Sequence, residues 1–254
     1  MAINTRKISD WLSANGQAVT NASLNTMKPY LEKNMAQLYD GVFIMYHCAN
    51  DGYPLMAAPA QWPSLEAGGE IADGVVIFEG GRHLVVAPTQ TTLPWSSAEV
   101  HTELPDYDND DTFTAQVTGN NRLAAMLDFN GRQHTDAAIR ASSDSHVTNT
   151  AAYAPGYCRQ YSRANSNGKG LTAGYWWLPS AGELLMMYAN KAKINYALSL
   201  IKGAQQLDPN WYWSSTERSP AYAWALHFGV GNLYCWFNKV EDKQRFRPVS
   251  AFLR

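Results

Sequence analysis

Three cysteines in 254 residues, Cys48, Cys158 and Cys235, are too few and too far apart for a disulfide framework. No two of them have zinc-site spacing, so three free thiols are the expectation. Charge of one sign is equally scarce: 20 Lys and Arg against 22 Asp and Glu leave a net charge of -2. That balance gives no electrostatic reason to bind nucleic acid. The C-terminal bases Lys239, Lys243, Arg245 and Arg247 are interleaved with Glu241 and Asp242 and read as a solvated strand face. No apolar run reaches the length of a membrane span, and Met1 to Ser13 lack the apolar core of a secretory leader. Export by the general pathway is therefore not expected, unless a leader was removed.

Catalytic spacings are missing as well. His47, His83, His101, His134, His146 and His227 form no HExxH pattern, and there is no Gly-x-Ser-x-Gly elbow or phosphate loop. His134, beside Thr135 and Asp136, reads as a capping or turn residue. The run Asp106-Tyr107-Asp108-Asn109-Asp110-Asp111 has the alternating oxygens of a calcium loop, but Asp111 stands where such a loop needs glycine and Val117 where it needs a bidentate Glu. A solvated loop is expected there. The chain thus reads as a protein without catalytic residues, cofactor or metal.

What is present is 46% hydrophobic residues, enough to bury a sizeable core. Residues 1–39 read as a helical arm: Ile8 and Leu12 share a stripe, Ser23 suits an N-cap, and Leu24, Met27, Leu31 and Met35 follow at helical spacing. From Asp40 the period changes. Gly41 to Tyr46 is strand-like, and Gly74 to Phe78 with His83 to Ala87 reads as a hairpin turning at Glu79-Gly80-Gly81-Arg82. A short helix disturbed by Pro155-Gly156 is expected within residues 151–161. Ser180 and Glu183 have capping-box spacing, so a helix should start at Ala181 and pack Leu184, Leu185, Met187 and Tyr188 inward. A second stripe, Ile194, Ala197, Leu198 and Ile201, ends at Gly203.

Aromatic residues make up 12% of the chain but concentrate between Trp211 and Phe237. Tyr222, Trp224, Leu226 and Phe228 alternate with Ala223, Ala225, His227 and Gly229, which predicts a strand with one core face and one free face. After the glycine-spaced turn Gly229-Val230-Gly231-Asn232 comes Leu233-Tyr234-Cys235-Trp236-Phe237. Such a run fits either a strand buried on both faces or one with aromatics in solvent.

Several motifs taken together carry a resemblance: Tyr212-Trp213-Ser214-Ser215-Thr216-Glu217, Ala223-Trp224, Phe228, Gly231-Asn232, Lys239, and Arg245-Phe246-Arg247-Pro248-Val249-Ser250-Ala251-Phe252. This set resembles the C-terminal region of variable proteins diversified by retroelements, which have a C-type-lectin-like fold related to that of formylglycine-generating enzymes. The likeness runs from about Asp40 to Phe252. It implies an α+β, C-type-lectin-like domain over residues 40–254, with twisted antiparallel sheets, flanking helices and a variable region at about 213–252. Phe246 stands where the family usually has valine, and the register from Val240 to Gln244 is loose.

The resemblance implies a scaffold that holds the surface: Trp213, Ser214, Ser215, Trp224, Phe228, Gly231, Lys239, Arg247, Pro248 and Val249. Between these anchors it implies a displayed binding set: Arg218, Ser219, Ala221, Tyr222, Ala225, His227, Gly229, Val230, Asn232, Tyr234, Cys235, Trp236, Phe237, Asn238, Val240, Glu241 and Asp242. The implied partner is a protein or cell-surface receptor, and the implied setting a virion, as a phage-tail tip. A homo-oligomer such as a trimer, or docking to the virion, would use the N-terminal arm; a cell-surface setting applies if an export signal was removed. Calcium-dependent sugar binding is disfavoured, because the Glu-Pro-Asn, Gln-Pro-Asp and Trp-Asn-Asp tripeptides of sugar-binding lectins do not occur. Two further readings stay open: a formylglycine-type oxidase, which needs Cys158 and Cys235 to pair, and a structural module of a surface appendage.

Overall fold

The computed structural model describes residues 40–100, 102, 104, 120–141 and 149–251. The helical arm expected over residues 1–39 and the acidic run Asp106 to Asp111 lie outside them. In chain order the first elements are β1 (Gly41–His47), β2 (Pro54–Ala57), α1 (Trp62–Ala67), β3 (Ala72–Glu79), β4 (Arg82–Val86), β5 (Thr91–Pro94), α2 (Asn120–Met126) and α3 (Gly131–Ala141). Next come α4 (Ala154–Gln160), β6 (Arg163–Ala164), β7 (Gly170–Leu171), α5 (Ala181–Ala189) and α6 (Lys191–Ser199). The last are β8 (Trp211–Glu217), β9 (Tyr222–His227), β10 (Asn232–Asn238), β11 (Lys243–Phe246) and β12 (Val249–Ser250). The architecture is mixed α+β with mostly antiparallel sheets.

Local chemistry accounts for several boundaries. The β3–β4 hairpin closes with Glu79 opposite Arg82, and Gly80 and Gly81 between them have φ of 55° and 77°. A two-residue turn with both central φ positive suits glycine best. Glu183 accepts the Ser180 N–H at 2.8 Å, so the helix starts at Ala181 as the capping spacing predicts. Pro155 does not disturb α4; it sits in the first turn, where its missing N–H costs no helical bond.

Five strands in the order β12-β4-β3-β1-β2 form one antiparallel sheet, and β10-β9-β8-β11-β5 form another. In the second sheet only the β8–β11 contact is parallel, with Arg245 opposite Tyr212. The main core lies between the sheets and under α5 and α6. It joins Ile44, Val75, Ile77 and Val86 to Tyr212, Trp224, Leu226 and Leu233, with Leu184, Met187, Ile194 and Leu198 from the helices.

The free face expected on β9 is covered. The face of β9 bearing Ala223 and Ala225 is not free; it lies on a second cluster with Trp95, Val100, Ala138, Ala154, Cys158, Trp213 and Phe246. Helices α3 and α4 supply part of that cover, so β9 is buried on both sides from Ala223 to Leu226. A third cluster, including Met45, Val76, Val85 and Trp176, covers the outer face of the first sheet.

Candidate functional site

Strand β10 is an edge of the second sheet, paired only with β9. Its register slips between Tyr234, opposite Ala225, and Phe237, opposite Ala223. Three residues on β10 thus match two on β9, which is a bulge of one residue. The bulge puts Tyr234 and Phe237 on one side despite their odd spacing. Leu233 and Cys235 point into the main core.

Outside the sheet the rings pack on one another. Trp211 lies 5.0 Å from the His227 ring, 6.2 Å from Tyr234 and 4.9 Å from Phe237, centroid to centroid. Tyr234 and Phe237 are 5.6 Å apart, and Phe237 meets Trp213 at 5.9 Å. The interplanar angles of 51–83° are tilted or edge-to-face, the arrangement that ring quadrupoles favour. Beneath the rings is Ala225, opposite both Tyr234 and Trp213, whose small side chain leaves room for them.

The displayed set divides when set against this geometry. His227, Gly229, Val230, Asn232, Tyr234 and Phe237 lie along the aromatic edge and its turn, with Tyr234 38% and Val230 73% exposed. Ala225 and Cys235 are buried, and both expectations of display are corrected: the second cluster covers one and the main core the other. Arg218, 6% exposed, is also inside, its guanidinium 3.4 Å from the Trp236 ring centroid and 5.4 Å from that of Tyr222. Tyr222 and Trp236 are half-buried and meet edge to face, forming a second aromatic group with that arginine. Ser219 and Ala221 are half-buried in the β8–β9 turn.

Between β10 and β11, the Asn238 side chain accepts the Val240 and Glu241 N–H groups, and Asp242 accepts the Asn238 N–H. Those two side chains build the turn, while Val240 and Glu241 are its exposed tip. Trp211, at the centre of the ring contacts, was missed by the expected set, which began beyond it. The signal was present, since Trp211 lies two residues before Trp213 and so shares its strand face.

The scaffold side chains beneath are buried, apart from a half-buried Gly231. The expected solvated basic face is overturned at two positions. The Lys239 ammonium donates to the Glu217 carboxylate at 2.5 Å and to the Val100 carbonyl at 3.1 Å, 4.6 Å from the Trp95 ring centroid. Thr102 completes the site through its hydroxyl, which donates to Glu217. Buried charge is tolerated only when paired and hydrogen-bonded in this way. Arg247 is enclosed too, donating to the carbonyls of Ala87, Pro88, Gln205 and Gln206 and to the Gln90 side chain. Burial pushes its pKa down to about 10. Lys243 stays exposed, and Arg245 is ion-paired with Asp208.

His134 is a buried helical residue on α3, not a turn residue, with Nε2 3.0 Å from Asp128. Burial raises the Asp128 carboxyl, but hydrogen bonds from His134, Thr216 and the Asn130 N–H outweigh it and hold its pKa below the usual value. Glu183 goes the other way: burial, aided by the nearby Asp128 charge, pushes its pKa up to about 7 and outweighs the lowering by hydrogen bonds from the Ser180 and Trp177 N–H groups. Cys158 and Cys235 are buried in different clusters, so the fold does not bring together the pair an oxidase would need. Burial raises the Cys158 thiol well above its usual pKa.

Comparison with known proteins adds one likeness. No family model matches the chain. No curated protein matches it either. Among solved structures, a fimbrial protein from Bacteroides ovatus ATCC 8483 is similar at 20% identity with a TM-score of 0.44, over 67% of this chain and 36% of that one. The chain therefore spans about a third of that protein's length. No helix among the described residues is long and apolar enough to cross a membrane.

Proposed function

We propose that the chain is a retroelement-diversified variable protein of C-type-lectin-like fold, whose β9–β10 edge and adjoining turns bind a protein or cell-surface receptor from a phage-tail tip. One observation carries this reading: the β10 bulge turns Tyr234 and Phe237 onto the side of Trp211 and His227, above a fully buried floor. Aromatic rings offer large contact area with few rotors to immobilise, so a few of them can dominate affinity. Because the rings already pack on each other and on a covered strand, little ordering entropy remains to be lost on binding.

Val230, Asn232 and Glu241, all exposed, are positions where sequence can change without touching the core, whereas a side chain at Gly229 would meet the His227 ring at 2.7 Å. Ala225 and Cys235, being buried, are expected to stay fixed. Sequencing the DNA around the gene tests the proposal. A near-copy of the segment encoding about Trp213 to Phe252, differing at adenines, should lie beside a reverse transcriptase gene. The differing codons should favour the exposed positions over Trp224, Ala225 and Lys239. Flanks with neither feature would remove diversification, and substitutions spread evenly over buried and exposed codons would remove display.

A further inference from the structure

A concavity elsewhere in the molecule shares no residue with the aromatic edge. It is a cleft of about 390 Å³ beside α3, closed by Trp177 and Glu183 and walled by Phe129. Its other side is α3, which contributes Arg132, Asp136 and Arg140 at i, i+4 and i+8, one stripe of a helix. The two arginines are about 12 Å apart along the axis, a gap that two long side chains can close upon one anion. Gly131 permits the approach of α3 to this wall: a Cβ there would lie 2.2 Å from the Glu183 carboxylate and 2.7 Å from the Ser180 nitrogen.

The charges in the cleft do not balance. Asp136 is ion-paired with Arg159 of α4, so its charge is already met. Arg132 and Arg140 are exposed and have no acidic partner among the described residues. Burial, and then repulsion from Arg132, lower the Arg159 pKa, a sign of cationic crowding. Arg82 adds a further cation over the Phe129 ring, 4.0 Å from its centroid. Against these stands Glu183, a buried carboxyl that meets no cation in its contacts. Buried and hydrogen-bonded to neutral groups, it can carry a proton near neutrality and then donate to a ligand oxygen.

We propose that this cleft binds a small organic acid, with its carboxylate held by Arg132 and Arg140 and its apolar body against Phe129 and Trp177. The volume is at the lower end of the ~300–1,000 Å³ range of small-molecule sites, which limits the ligand to about one ring. Guanidinium groups match a carboxylate through two parallel N–H bonds. A dianionic phosphate would bring a second charge towards Glu183, whereas a singly charged carboxylate can share a proton with it.

The test is calorimetric titration of the full chain at pH 7 with benzoate, benzyl alcohol and phenyl phosphate. Benzoate should bind at millimolar concentration, and benzyl alcohol about tenfold or more weakly, since a hydrogen bond to a charged group contributes about 1.5–3 kcal/mol. The double variant Arg132→Gln/Arg140→Gln, altered only at exposed positions, should lose benzoate binding by a similar factor and keep its thermal transition. No benzoate binding, equal binding of benzyl alcohol, or undiminished binding by the double variant would overturn the site. Tighter binding of phenyl phosphate would overturn the carboxylate assignment. The titrations with unaltered protein decide the matter even if the variant fails to fold, and neither outcome bears on the aromatic edge.

Discussion

Strands β9 and β10 are neighbours with similar aromatic endowment and opposite surroundings. From Ala223 to Leu226, β9 has packed residues on both faces, whereas β10 buries Leu233 and Cys235 and turns Tyr234 to solvent. The difference lies in what covers them. β9 is between β8 and β10, with α5 on one side and the Trp95–Phe246 cluster on the other. β10 has one strand neighbour and a bulge, a common way for an edge strand to avoid recruiting another strand. Aromatic content shows where contact area is available, and the covering layers determine whether the core or the solvent receives it.

Three substitutions probe that contrast, beginning with the largest effect. Trp224→Ala, in the middle of β9 and fully buried, should lower the unfolding free energy by about 3–5 kcal/mol in a urea melt. A loss below about 1 kcal/mol would mean that β9 is not the covered strand. Next comes Glu183→Gln, which probes the α5 cap over the covered side. The folded Glu183 carboxyl has its pKa raised from 4.5 to about 7, so the folded state holds a proton that the unfolded state releases. That stability is fully present below about pH 4.5 and lost as pH rises through 7, with a swing of roughly 3 kcal/mol. Asp128, with its pKa depressed, acts in the opposite sense and only at lower pH. Unfolding free energies measured from pH 5 to pH 8 should therefore fall in the parent and be flatter in Glu183→Gln. Parallel profiles would mean that the Glu183 cap does not titrate in that range.

The smallest change is expected at the edge itself. His227→Ala removes a half-buried ring from the outer rim and should alter stability by no more than about 0.5–1 kcal/mol. A cost matching that of Trp224→Ala would show that the two strands do not differ as described.

Legibility in the sequence followed range. The hairpin at Gly80-Gly81 and the cap at Ser180 and Glu183 were readable because each is closed by residues no more than three apart. The faces of Trp224 and Leu226 followed from alternation. The outward pairing of Tyr234 with Phe237 did not, because a bulge breaks the period that such reasoning uses. Helix α3 was not read because its buried face is Gly131, His134, Thr135, Ala137 and Ala138, a stripe with little hydrophobic signal. Lys239 and Arg247 looked solvated because their partners are distant: Glu217 is 22 residues away and Ala87 is 160. No local pattern encodes such a pairing.

The bond from Arg247 to Ala87 also sets a schedule for biosynthesis. A ribosome adding about 5–20 residues per second reaches Arg247 on the order of 10 s after Ala87. Until then the outer edge of β4 has no β12 to pair with, and the carbonyls of Ala87 and Pro88 lack their guanidinium. Closing so long a loop is entropically slow even once the residues have emerged. The nascent chain therefore carries an open strand edge for seconds, a period in which holdase chaperones compete with aggregation. A substitution on the exposed rim leaves that edge covered, but a change at Arg247 would leave it without its clasp.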